Sequence, residues 1–218
     1  KSIFPSSFIS SETDTLETLS SFQLHKKDPS SFLLCFTAGV FTVNWVYIGS
    51  FHFQFAASYR GFYPQQQLSN ALLFGQILTT FLIFFVGSFA DRAGGLKICR
   101  FFLKTAFLLS FPILSFAHSH FHVSLIWIGQ LFYALVNGSV SAVLLTYITA
   151  HFAKQHRCSG VSFGWSLSAA LCSGHILILC QSLCENHWPL APGGILALSA
   201  ACLLCCLQNK KELTLLCK

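Results

Sequence analysis

The chain is short of charge. Asp, Glu, Lys and Arg make up 9% of its 218 residues, against about 25% in an ordinary soluble domain, which leaves too little polar surface to face water. Methionine is absent altogether, and the sequence opens on Lys1; the expectation is a chain that starts inside a longer reading frame or has been processed. Acidic residues are few and placed outside the apolar runs: Asp91 stands at the edge of one, Glu185 between two, and Glu212 near the end. There are no paired carboxylates, no Ser/His/Asp arrangement and no glycine loop ahead of a basic residue, so the reading is not an enzyme, and no catalytic residue or cofactor is expected.

What remains is apolar. Hydrophobic residues fill 54% of the positions, 24 of them Phe, and the mean hydropathy is +0.63. A hydrocarbon core of about 30 Å needs about 20 apolar residues in a helix. Runs that meet or approach this length cover 32–59, 68–90, 98–117, 123–151, 161–184 and 190–207. The third is interrupted by Lys104 and Pro112, and the last is short. Backbone polar groups cannot go unpaired in lipid, so each run is expected to be helical. The fold expected is an all-α membrane protein: a cytoplasmic lead-in over 1–30, a six-helix transmembrane bundle over 31–207, and a cytoplasmic tail over 208–218. Residues 1–30 are rich in Ser and Thr and lack the apolar core of a secretory signal.

The basic residues set an orientation. Lys26 and Lys27 precede the first run; Arg92, Lys97, Arg100 and Lys104 lie between and just inside the second and third. Lys154 and Arg157 separate the fourth from the fifth, and Lys210, Lys211 and Lys218 follow the sixth. The alternate loops hold Arg60 alone. By the positive-inside rule both termini are cytoplasmic, in a multi-pass protein of the plasma (inner) membrane. The formal charge of +6 is split among these short clusters with no stripe for a phosphate backbone, which excludes a nucleic-acid partner.

Most of the ten cysteines, among them Cys35, Cys172, Cys180, Cys202, Cys205 and Cys206, fall inside the apolar runs and read as small hydrophobes. His118, His120 and His122 suit an extended loop without a supporting acid, so no metal site is assigned. Gly160 and Gly164 allow close helix approach.

Polar residues inside the runs recur at helical spacing. The first run carries Asn44, Tyr47, Phe51, Gln54 and Ser58; the second Gln76, Thr80 and Gly87. The fourth carries Gln130, Tyr133, Asn137 and Ser141; the fifth Trp165, Ser168, Cys172 and His175. Two readings stand side by side: stripes lining a polar solute pathway, with Asn44, Tyr47, Gln54, Gln76, Gln130, Tyr133, Asn137 and His175 as its candidates, or side chains that hydrogen-bond across helices.

A carboxylate, a guanidinium and three glycines stand at the exit of the second run: Gly87, Asp91, Arg92, Gly94, Gly95 and Lys97. This stretch resembles the loop signature of the major facilitator superfamily, G-x-L-A-D-R-x-G-R-K. The likeness is to its carboxyl-terminal half, in the metabolite–proton symporter branch that includes proline/betaine permeases. The lead-in from Glu17 to Phe22 with Lys26, Lys27, Asp28 and Pro29, the run from Gln130 to Gly138, and Arg157, Ser159 and Gly160 extend it over about residues 15–212. The resemblance implies half of a secondary transporter for a small polar metabolite or osmolyte, with gating residues at Gly87, Asp91, Arg92, Gly94, Lys97 and Arg157. It implies as partners the lipid bilayer, a small solute, and an amino-terminal six-helix half or a second copy of this chain. Gly95 and Leu96 stand where the signature has a basic pair, which weakens the gating contact. The family's coupling acids lie mostly in the other half; away from the run ends, this chain offers only His52 and His175. The plainer alternative is a non-transporting membrane interaction protein.

Overall fold

A computed structural model of the chain describes residues 29–52, 65–119, 123–152, 157–185 and 191–216. They form six helices and no strand among the described residues: α1 (Pro29–Val46), continued by a π-helical turn (Tyr47–His52), α2 (Gln65–Ala93), α3 (Gly95–Ser119), α4 (Val123–His151), α5 (Arg157–Glu185) and α6 (Ala191–Leu216). Five of the six are long and apolar enough to cross a membrane. The exception is α3, whose first ten residues hold Lys97, Arg100 and Lys104. Helices α2, α4 and α5 have 29 residues each, about 43 Å at 1.5 Å per residue. Helix α6 continues past 207 to Leu216, so the expected tail begins as helix. Gln54 and Ser58 of the first run, and the side chains of His118, His120 and His122, lie outside the described residues.

Side-chain contacts fix the helix directions. Ser31, at the start of α1, donates to the His151 carbonyl at the end of α4 (3.3 Å), so these two run antiparallel. Arg100 near the start of α3 donates to the Leu207 carbonyl in α6 (2.7 Å), and Ser110 to the Gly193 carbonyl (3.3 Å), so this pair is antiparallel too. Cys35 and Gly39 of α1 meet Gly164 and Ser168 of α5 in ascending order, and Gly75 and Thr79 of α2 meet Gln130 and Gly138 of α4 likewise, so both these pairs are parallel. The helices therefore alternate up and down along the chain. Arg92, Lys97, Arg100, Lys104 and Arg157 all gather toward the end of the bundle where α2 passes into α3 and α4 ends.

The packing has an internal symmetry. Exchanging α1 with α4, α2 with α5 and α3 with α6 leaves the pattern of principal neighbours unchanged: α2–α4 maps onto α5–α1, α3–α4 onto α6–α1, and α3–α6 onto itself. The close crossings follow it. A Cβ at Gly39 would collide with Ser168, and one at Gly164 would lie 2.9 Å from Cys35 Sγ. On the other side a Cβ at Gly138 would lie 3.0 Å from the Thr79 carbonyl oxygen, and one at Gly75 2.6 Å from Gln130 Oε1. Small residues at these crossings let the backbones approach where lipid supplies no hydrophobic drive.

Helices α1 and α4 form the centre. Phe41, Trp45, Tyr133, Val140 and Leu144 are buried there against Leu196 and Leu203 of α6, and the Trp45 ring lies 5.7 Å from that of Phe132. Helix α2 is peripheral and turns Phe81, Phe84, Phe85 and Phe89 outward; α5 does the same with Leu171, Ile178 and Leu179.

A single residue links α2 to α3. The Gly94 N–H closes α2 on the Ala90 carbonyl (3.0 Å), and the Gly94 carbonyl accepts from Lys97 N–H to open α3 (3.1 Å). Its φ of +91° is reached without cost only by glycine. Gly94→Ala is expected to destabilise the bundle by ~1 kcal/mol through backbone strain, since open space surrounds the position. Gly138→Leu should cost more by forcing α2 off α4. Unfolding of the two variants in mixed detergent measures both effects; equal stability to the parent would contradict the crossing geometry.

Candidate functional site

The π-helical turn at Tyr47–His52 re-aims the end of the first helix, because its hydrogen bonds skip one more residue than those of an α-helix. It brings Gly49 and Ser50 against α4. Tyr133 lies so close to Gly49 that a Cβ there would stand 2.7 Å from the ring. Gln130 Nε2 donates to the Gly49 carbonyl (3.2 Å).

Around the Tyr133 hydroxyl a polar cluster forms from three helices. Asn137 Nδ2 donates to it at 3.1 Å, and Gln76 Nε2 of α2 reaches it at 3.5 Å. Gln76 Nε2 also approaches Ser50 Oγ at 3.4 Å, and Ser141 Oγ donates to Asn137 Oδ1 at 3.5 Å. Asn137 is the central residue of α4 (Val123–His151), and Gln76 lies three residues from the centre of α2 (Gln65–Ala93). The cluster therefore sits halfway along the bundle. Every member is uncharged. Ser50, Tyr133 and Asn137 are buried, while Gln76 is exposed and carries the cluster to the outer face of α2. Such a group of amides and hydroxyls can donate to and accept from a neutral or zwitterionic solute and offers no charged side chain to balance a net charge.

Of the eight pathway candidates, Gln76, Tyr133 and Asn137 meet directly, and Gln130 joins them through Gly49. Asn44 is 4% exposed in α1, with its Oδ1 unpartnered among the described residues. Tyr47 is half-buried at the first position of the π turn. His175 is exposed on α5, in a shallow groove lined by Leu171, Cys172, Ile178 and Ser182, apart from the cluster. Thr80 bonds back to the Gln76 carbonyl in its own helix (3.0 Å), and Ser168 likewise to Trp165 (2.7 Å).

Gly87, Asp91, Arg92, Gly94 and Lys97 form the α2–α3 connection, where Asp91, Arg92 and Lys97 are exposed and Gly87 has open space beside it. Arg157 stands elsewhere at the same end and donates through Nε to the Phe152 carbonyl (3.2 Å), closing the last turn of α4.

Ser50 is the member that periodicity missed. The stripe Asn44, Tyr47, Phe51, Gln54 assumes an unbroken α-helix, and the π turn breaks that register. Its one trace in the sequence is Gly49, a glycine inside an apolar run, which marks close backbone approach. No family matches the chain, and neither a curated protein nor a solved structure matches it.

Tyr133→Phe removes the hydroxyl on which Asn137 and Gln76 converge. The expected loss is ~1 kcal/mol, the scale of an interhelical hydrogen bond in a membrane protein, with helix content unchanged. Gly49→Ala should reproduce it by displacing the ring. Thermal unfolding of purified variants reads both, and no shift in either would mean that the cluster holds nothing together.

Proposed function

We propose that this chain is an integral, multi-pass membrane protein forming the carboxyl-terminal six-helix half of a secondary transporter of the major facilitator type, carrying a small neutral or zwitterionic metabolite of the proline/betaine class. The observation that carries this reading is the uncharged cluster of Ser50, Gln76, Tyr133 and Asn137, halfway along helices that are otherwise apolar. Polar side chains at that depth are expensive and mark a solute path. The internal symmetry supports it. Three helices related to the next three in an up–down bundle make an inverted repeat, the construction of such carriers, with the site at the repeat interface. The cation-rich end is the cytoplasmic one, which puts both termini on that side.

The proton-coupling carboxylate comes from the partner half in this reading, since no acidic side chain stands in the cluster. The chain works with an amino-terminal six-helix half, supplied in the same polypeptide or by another, or with a second copy of itself.

A second reading has one observation in its favour. Gln130, Tyr133 and Asn137 are 1%, 1% and 6% exposed, and each bonds to a neighbour, so the cluster also serves as glue between helices. A non-transporting interaction protein would need no more.

Uptake of labelled proline or betaine separates the two. Cells expressing the chain with an amino-terminal half should accumulate solute, and the chain alone as a monomer should not. Asn137→Ala is expected to weaken solute binding about tenfold, roughly the loss of one hydrogen bond. Binding unaffected by both Asn137→Ala and Gln76→Ala would leave the second reading.

A further inference from the structure

Helices α2 and α3 are joined by one residue, yet they pack mainly against α4 and α6 rather than on each other. Between them a cleft of about 540 Å³ opens outward, walled by Phe85, Phe89, Phe101 and Phe102, with Lys97 as its one charged lining residue. Phe85, Phe89 and Phe101 are 71%, 61% and 63% exposed. The cation stands at the closed, hairpin end of the cleft, beside the Gly94 turn, and the aromatic walls run away from it toward the middle of the bundle.

The neighbouring charges extend this polarity. Arg92 lies seven residues from Phe85, on the same face of α2, and Lys104 lies seven residues from Lys97, on the same face of α3. Asp91 is the one acidic side chain described at this end, where Arg92, Lys97, Arg100, Lys104 and Arg157 outnumber it.

We infer that the α2–α3 cleft is a binding site for an acidic phospholipid, whose headgroup phosphate pairs with Lys97 while an acyl chain lies between the Phe85/Phe89 and Phe101/Phe102 walls. The occupant follows from the two chemistries in one cleft. A free anion finds no donor on the aromatic walls, and a zwitterionic lipid brings its own ammonium beside its phosphate, so it offers no net charge to Lys97, Arg92 and Lys104. An amphiphile with an anionic head matches both, and basic residues on the cytoplasmic side of a membrane protein favour such headgroups. An aromatic-walled hairpin holding one lipid would also fill the gap that the splay of α2 from α3 leaves.

The test places a reporter in the wall. The full chain carrying Phe85→Trp is reconstituted in phosphatidylcholine bilayers containing an equal fraction of brominated phosphatidylglycerol or brominated phosphatidylcholine, and fluorescence is compared with the parent chain. Quenching by the acidic lipid is expected to exceed that by the neutral one about fivefold, the worth of one cation at an anionic lipid surface. Lys97→Gln should abolish the preference and Lys97→Arg keep it, with helix content unchanged. Native mass spectrometry of the unsubstituted chain, competing the two lipids, gives the same comparison without the reporter and should show the acidic lipid retained. Equal quenching and equal retention of the two lipids would overturn the proposal. So would a preference that survives Lys97→Gln, or a tryptophan shielded from both lipids by crosslinkable contact with another protein chain.

Discussion

A polypeptide with so little charge must bury its backbone dipoles within its own helices, and the rest of the structure follows from that constraint. Each long apolar run becomes a helix because no water is at hand to pair an exposed N–H or C=O. The helices then need some reason to associate, since their side chains are no less apolar than the lipid around them. Close contact supplies it: Gly39, Gly164, Gly75 and Gly138 let α1 meet α5 and α2 meet α4 at distances a side chain would forbid. The few polar groups finish the task. Ser31, Arg100, Ser110 and Arg157 each donate to a backbone carbonyl, three of them reaching a different helix, and the first, second and fourth lie at the cation-rich end.

The bundle is nearly symmetric in its packing and asymmetric in its chemistry. The glycine crossings of α1–α5 and α2–α4 correspond, so the two three-helix units share a frame. Yet Gln130, Tyr133, Asn137 and Ser141 on α4 include hydrogen-bonded amides, whereas α1 buries Phe41 and Trp45 beside Asn44, whose Oδ1 has no partner among the described residues. The α1–α5 crossing carries the Ser168 hydroxyl, bonded within its own helix, while the α2–α4 side carries amides as well as hydroxyls. The π turn at Tyr47–His52 lies at the polar crossing. A frame built by repetition, with hydrogen-bonded amides gathered on one side, suits the solute site proposed above.

Much of this could be read from residue order. The helices, their alternation and the α4 stripe at Gln130, Tyr133 and Asn137 follow from length, charge position and period. The α2–α3 turn was legible because Gly94 is the residue that tolerates a left-handed φ. Other features were hidden for physical reasons. Ser50 enters the cluster through a local change of helical period that no side-chain pattern announces. His175 shares a periodic stripe with Ser168, yet it stands exposed on α5, because the stripe fixes a face and not what lies beyond it. Asn44 falls on the right helix and stays apart from the cluster, since one turn of register decides which neighbour a side chain meets.

The whole account rests on a bundle that spans the bilayer with its cationic end toward the cytoplasm. Cys158 is exposed at the start of α5, beside Arg157, at that end. In a chain with Cys184 and Cys217 replaced by serine, a membrane-impermeant maleimide should label it in inverted membrane vesicles and spare it in right-side-out ones, with Cys158→Ser removing the signal. Labelling of Cys158 in intact right-side-out vesicles would contradict the account.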